Sequence, residues 1–241
     1  MIHSWSVPAG KEWSCPGESE ICGIRCYTRR GFFRMQNVKE SYARNFEFAS
    51  NSEFVPWAVA AIQAAFSQVV RIHVSGDFKD VEYTRKWQKI VAALPDVTFF
   101  AYTRSWRIEE ILPELLHLHS YPNMRLWWSV DRATGPAPRI QGIRHAYMAI
   151  SDADARIAPP DCDLVFRDKP DSVMKKAGGG KILVCPTENG VKTQVPITCS
   201  RCQICWRESN SRWEEALLPE FNPQQVDLES PHDRRRLPVV H

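Results

Sequence analysis

Short runs rich in β-branched and aromatic residues alternate along the chain with stretches whose apolar residues recur at helical spacing, and that alternation is its main organising signal. Seven runs read as strands: Ile2–Val7, Val69–Ser75, Val97–Tyr102, Arg125–Val130, His145–Ile150, Asp163–Arg167 and Lys181–Cys185. Two helical patterns, Val38–Phe48 and Phe54–Phe66, fall between the first pair of strands, the second opening on Asn51-Ser52-Glu53 as its expected cap. Asp80–Leu94 follows the second strand and Ile108–His119 follows the third. Strands separated by helices imply right-handed βαβ units and a parallel sheet. Repetition of the unit predicts an α/β fold, a partial (β/α) TIM-like barrel, with an open doubly wound sheet as the alternative.

Beyond the fourth strand the connections shorten, and Arg132–Pro138 reads as a loop. Gly178-Gly179-Gly180 reads as a turn, because a phosphate loop would need a Lys-Ser/Thr pair opening a helix. Residues 1–184 are expected to form the barrel with its N-terminal cysteine loop, 185–218 a cysteine-rich extension, and the polar, proline-punctuated 219–241 an extended tail.

At 241 residues, 44% hydrophobic and 24% charged, the composition is that of a globular chain with one good core. No apolar run approaches the ~20 residues of a membrane span, and the N-terminus lacks the pattern of a secretory signal. A cytoplasmic location follows as the expectation, with no membrane partner. In that reducing setting eight cysteines point to metal rather than disulfides. The formal charge of +3 would not repel an anionic substrate, and it does not by itself call for nucleic acid.

Seven of the cysteines fall into two groups. Cys15, Cys22 and Cys26 occupy a Gly/Pro-rich loop after the first strand. Three thiolates on a four-iron cluster leave one iron open to a small molecule; the alternatives are a zinc ion completed by a histidine, or unrelated buried thiols. Cys199, Cys202 and Cys205 form a C-x-x-C-x-x-C run of ferredoxin-like spacing, and Cys185 supplies a fourth ligand from fourteen positions earlier. That set suits a second 4Fe-4S cluster or a structural zinc. Cys162 belongs to neither group and reads as an inert, partly buried thiol.

Polar residues recur where the strands end: Ser75-Gly76-Asp77, Thr103-Arg104, Ser129 with Asp131-Arg132, Ser151-Asp152, Arg167-Asp168-Lys169 and Thr187-Glu188. Parallel α/β folds place their sites on that edge, so these residues would share one face. His73 reads as a hydrogen-bonded core histidine, or as a proton donor or ligand; Trp106, Trp127 and Trp128 read as core filling or pocket lining. Arg29, Arg30 and Arg34 could hold an anionic group or form a solvated basic face. Arg234-Arg235-Arg236 is too short for a nucleic-acid patch.

The stretches SWSVPAGKEWSCPG, CGIRCY, RIHVSGDF, FFAYTRSW and CPTE followed by CSRCQIC resemble the gene-product-eighty-eight-like family of phage proteins, from about Trp5 to Trp206. More distantly, the cysteine loop after strand one and the Ser-Gly-Asp turn after strand two resemble the radical S-adenosylmethionine superfamily. The spacing here is C-x6-C-x3-C where that superfamily has C-x3-C-x2-C, and Arg25 precedes the third cysteine where an aromatic is usual. The resemblance implies that Cys15, Cys22 and Cys26 hold an open 4Fe-4S cluster binding S-adenosylmethionine, and that one-electron reduction releases a 5′-deoxyadenosyl radical. It also implies that Ser75, Gly76 and Asp77 lie beside the methionyl amine, with Arg104, Ser129 and Asp131 as further cofactor contacts, while Cys185, Cys199, Cys202 and Cys205 hold an auxiliary cluster. A flavodoxin- or ferredoxin-like electron donor is implied as partner, with a small molecule, nucleotide or nucleic-acid base as substrate. If phage-encoded, the protein would act in the host cytoplasm. The alternative from another class is a non-catalytic phage binding protein, stabilised by zinc or iron–sulfur, that contacts a host protein or nucleic acid.

Overall fold

A computed structural model describes residues 2–168, 170–187 and 197–207. Lys169, Glu188 and the tail with Arg234–Arg236 lie outside the described residues. Eight strands form one sheet: β1 (Ile2–Trp5), β2 (Val69–Ile72), β3 (Thr98–Thr103), β4 (Met124–Val130), β5 (Arg144–Ala149), β6 (Leu164–Arg167), β7 (Lys176–Ala177) and β8 (Ile182–Val184). Their order is β1-β2-β3-β4-β5-β6-β8-β7, parallel throughout except for the β7–β8 pair. The sheet is open, so the expected barrel does not close: β1 borders one edge and β7 the other. The α/β class with a mostly parallel sheet is as expected, and the sheet is not doubly wound, because that topology reverses its strand order at a switch point and β1 to β6 run in sequence.

Sequential parallel strands joined by right-handed crossovers place the longer connecting helices on one face. Helices α1 (Glu20–Arg25), α2 (Gln36–Phe48) and α3 (Phe54–Ala64) lie between β1 and β2, α4 (Val81–Ala93) and α5 (Leu112–His119) in the next two crossovers, and α6 (Asp152–Arg156) between β5 and β6. Val70, Ile72, Phe99, Leu126 and Trp128 turn to the helical side, where they meet Phe54, Trp87, Ile90 and Leu115 in one fully buried core. Each such side chain is worth about 1.5–3 kcal/mol on burial. The opposite face carries a smaller apolar cluster of Trp127, Ala146, Leu164 and Cys185, covered by Ile204 from the segment containing α7 (Cys199–Cys202).

Several boundaries depart from expectation for local reasons. The first two strands are shorter than the patterns indicated: His73 adopts a left-handed φ of 65° that ends β2, although its N–H still donates to Trp5 at 3.0 Å and Val7 still bonds Ser75 at 3.1 Å. Asn51 does not cap α3; its Oδ1 accepts from Glu53 N at 2.9 Å, and the cap position is Glu53 with no side-chain bond. Asp80 caps α4 by accepting from Tyr83 N at 2.7 Å. The expected Ile108 start of α5 is occupied by the end of a 3-10 turn, and the helix begins at Leu112, with Pro113 in its first turn. Gly178, Gly179 and Gly180 all take positive φ and turn the chain from β7 into β8.

Candidate metal centre and cavity

The first cysteine loop is fastened to the carboxyl ends of β2, β3 and β4 by its small residues. Ser14 Oγ accepts from Asp77 N at 3.3 Å, and Arg107 Nη1 donates to the Gly17 carbonyl at 3.0 Å. Gly17 lies so close to β3 that a Cβ would stand 2.0 Å from the Arg104 carbonyl oxygen. Ser19 caps α1, accepting from Cys22 N at 3.0 Å, while its hydroxyl donates to Asp131 Oδ2 at 2.6 Å. At the far end of the loop Tyr27 Oη donates to the Val74 carbonyl, and Arg30 pairs with Asp168 after β6 at 2.6 Å. The placement follows from sequence in one respect: Ser14 and Gly17 beside Cys15, and Ser19 and Gly23 about Cys22, are small enough for the backbone to approach the sheet.

Between loop and sheet lies a cavity of about 480 Å³. All three thiols line it, and the other wall takes a side chain from each of five consecutive parallel strands: Arg71, Tyr102, Ser129, Met148 and Phe166. Of the expected cofactor contacts, Gly76, Asp77, Arg104 and Ser129 border this space. Ser75 and Asp131 do not line it. Ser75 is buried, its N–H bonded to Ser6 Oγ at 3.2 Å, and it borders a separate groove. Asp131 stands behind the wall, where it accepts from Ser19 and pairs with Arg104 Nη2 at 3.1 Å, so it positions the arginine rather than touching the cavity.

Gly76 has φ 85°, and a Cβ there would come within 2.4 Å of Val7 and 2.5 Å of Ser14. Glycine is the residue this turn admits. Asp77 accepts from the amides of Phe78 and Arg104, each at 2.8 Å, while burial pushes its carboxyl above the usual range. Its backbone bonds fix its direction into the turn. His73 is the core histidine of the two options: Nε2 meets Tyr83 Oη at 2.8 Å, and burial with Arg71 nearby lowers it to about 3, so it stays neutral. Trp127 and Trp128 are fully buried, on opposite faces of the sheet.

The eight cysteines are all free of disulfides. Burial raises Cys15 well above an ordinary thiol and pushes Cys22 up to about 11, Arg104 opposing the latter. Thiols so placed ionise when a metal supplies the balancing charge. Among the described residues no three His, Cys, Asp or Glu side chains converge as a lone metal ion requires. A lone zinc draws its thiolates to about 2.3 Å from one point, whereas a cluster binds each at a different iron and asks for less convergence. Three thiols along one wall of a cavity fit the second demand.

Cys199, Cys202 and Cys205 lie near one another, and Cys185 is buried against the same apolar cluster as Ile204. Arg144 and Trp127 hold this segment to the open face. Arg144 donates to the carbonyls of Ile204 at 2.9 Å and Cys205 at 3.2 Å, and its guanidinium lies 3.9 Å from the Trp127 ring centre. Trp127 Nε1 donates to the Cys205 carbonyl at 2.9 Å. Arg144→Ala is expected to raise the open population of this segment by about tenfold, from the loss of hydrogen bonds worth about 1.5 kcal/mol. Limited trypsin digestion checks it through faster cleavage after Arg201 or Arg207. Cys162, by contrast, is buried in the helical core, where burial and then Asp163 push its thiol up to about 12.

Arg71, Tyr102, Met148 and Phe166 were not among the expected site residues. Arg71 alone gave a signal, a cation inside the apolar run VVRI. Nothing in the composition of β3, β5 or β6 distinguishes the residue facing the cavity from its neighbours facing the helices. Among the described residues no helix is long and apolar enough to cross a membrane.

Residues 1–208 match the family model described as Gene product 88. The Gene 88 protein of Mycobacterium phage D29 is 24% identical over 174 residues, spanning 66% of this chain and 71% of that protein. The Gene 88 protein of Mycobacterium phage L5 is 25% identical over the same length and shares. No solved structure matches. With the cysteine loop, the sheet and the second cysteine group all inside the matched span, the chain belongs to the Gene product 88 family.

Proposed function

We propose that the protein is an iron–sulfur enzyme of the radical S-adenosylmethionine type, with Cys15, Cys22 and Cys26 holding an open 4Fe-4S cluster at the cavity and Cys185, Cys199, Cys202 and Cys205 holding a second. The observation that carries this is one cavity lined at once by the three thiols of the first loop and by the open-face ends of β2 to β6. Six strands wound in one sense present their carboxyl ends together, where the cavity lies between the cysteine loop and the sheet. Bound there, cluster and cofactor would supply a one-electron cleavage yielding a 5′-deoxyadenosyl radical.

The chain's own residues would perform the rest. Gly76 lets the β2 turn approach the cofactor without a side chain, and Asp77, held by two backbone amides, offers a fixed acceptor for an ammonium group. Arg104, anchored by Asp131, holds positive charge beside Cys22 and would offset that of the thiolates. Met148 and Phe166 exclude water from the inner wall, which a reactive carbon radical requires. A second groove of about 480 Å³ borders the loop on its outer side, where Arg29, Arg34 and Lys39 lie with Trp13, Phe33 and Tyr42. Cations interleaved with rings favour a nucleotide or nucleic-acid substrate over a neutral one.

Anaerobic purification, iron and sulfide analysis, then dithionite reduction with S-adenosylmethionine test the reading. About eight irons per chain and release of 5′-deoxyadenosine are expected for two four-iron clusters. A colourless protein with stoichiometric zinc would instead favour the metal-stabilised binding protein.

A further inference from the structure

One arginine lines the cavity without an acidic partner. Arg25, Arg104 and Arg167 border the same space, and each faces a carboxylate, at 3.6 Å on Asp168, 3.1 Å on Asp131 and 2.6 Å on Asp152. Arg71 has no carboxylate within ion-pair distance among the described residues. Its Nε donates to the His73 carbonyl at 3.2 Å, and its guanidinium lies 5.6 Å from the centre of the Tyr102 ring. The two terminal nitrogens have no protein partner among the described residues, yet they are not among the fully enclosed polar atoms. They therefore open onto the cavity.

A guanidinium in the middle of β2 is costly to place. Burial works against its charge, and Tyr27, Tyr102, Cys205 and Cys199 work for it. Apolar filling of this position would avoid the desolvation penalty, as Val70 and Ile72 do on the other face of the strand. The neighbours also locate it: Tyr27 belongs to the first cysteine loop and Cys205 to the second group, so Arg71 stands between the two.

We propose that Arg71 binds an oxyanion, a carboxylate or a phosphate, carried by the molecule that occupies the cavity. The paired donors of a guanidinium match two oxygens of either group, and the Tyr102 ring holds the plane of the fork. The inference rests on the cavity being the ligand chamber of the proposed enzyme, and it does not need the radical step.

Isothermal titration of the full-length, anaerobically isolated protein without reductant tests it with two ligand pairs. Thymidine 5′-monophosphate against thymidine reports a phosphate, and methionine against methioninamide reports a carboxylate. In at least one pair the member carrying the phosphate or carboxylate is expected to bind tighter, and Arg71→Gln to remove about tenfold or more of that affinity while leaving the member without the oxyanion unchanged. Equal affinities within both pairs in the natural protein would overturn the assignment. So would a preference that survives Arg71→Gln, which would leave Arg71 to balance the charge of the second cysteine group. Should Arg71→Gln fail to fold, Arg71→Lys keeps the charge without the fork and is expected to lose at least about threefold; unchanged affinity in that variant overturns the proposal equally. Because no reductant is present, absence of 5′-deoxyadenosine in the earlier assay and absence of anion binding here are separate results.

Discussion

Cys22→Ser is expected to strip iron from the three-thiol loop and reduce 5′-deoxyadenosine release to background, while the second cysteine group keeps its metal. Iron and sulfide per chain should fall by about half, to the content of one four-iron cluster. The residue suits the test because its amide, not its thiol, makes the bond to Ser19 that caps α1, so the loop keeps its fastening when the sulfur is replaced. Cys162→Ser provides the contrast. That thiol lies in the helical core, so serine there should cost about 1–3 kcal/mol of stability and no iron. Full iron content in a folded Cys22→Ser protein would remove the first centre from the proposal.

Gly17→Ala is expected to lower the melting temperature and to deplete the first metal centre more than the second. The added methyl would stand 2.0 Å from the Arg104 carbonyl oxygen and 2.5 Å from its carbon. Both are backbone atoms, so no rotamer change relieves the contact and the loop must lift from β3. Overpacking of this kind costs about 1–3 kcal/mol, or about 2–12 °C for a chain of this size. Gly23→Ala, in α1 of the same loop, meets only the flexible side chain of Glu18 and should be neutral or mildly stabilising. Calorimetry with metal analysis of both variants checks the pair; equal behaviour would mean that the loop is not held by its close approach to Arg104.

The sheet was legible in the sequence because seven of its eight strands fall in runs rich in β-branched and aromatic residues that stand out from the helices between them. What escaped is short. β7 is two residues, α7 is four and α6 is five, lengths at which neither period can establish itself. Closure of the sheet was equally hidden, since repetition of a βα unit fixes the winding but not whether the edge strands meet. In the site, the turns could be read: Gly76 and Asp77 follow an apolar run, and Arg104 follows another, each at a strand end. Ser75 and Asp131 sat at equally suggestive positions and turned elsewhere, because one residue's step along the chain near a strand reverses the side a side chain faces. The second groove, built from Arg29, Arg34 and Lys39 across two segments, needed the tertiary fold to bring its parts together.

The cover on the open face is made late. At about 5–20 residues per second, the forty residues from Asp168 to Arg207 leave the ribosome several seconds after β6 is complete. During that interval the first cysteine loop and the six strands facing it already exist, with no Ile204 or Trp206 lying across them. If the proposed clusters are present, a carrier delivering inorganic sulfide and iron would have access during that interval to a side that the finished protein covers, and the inner centre would be filled before the outer one.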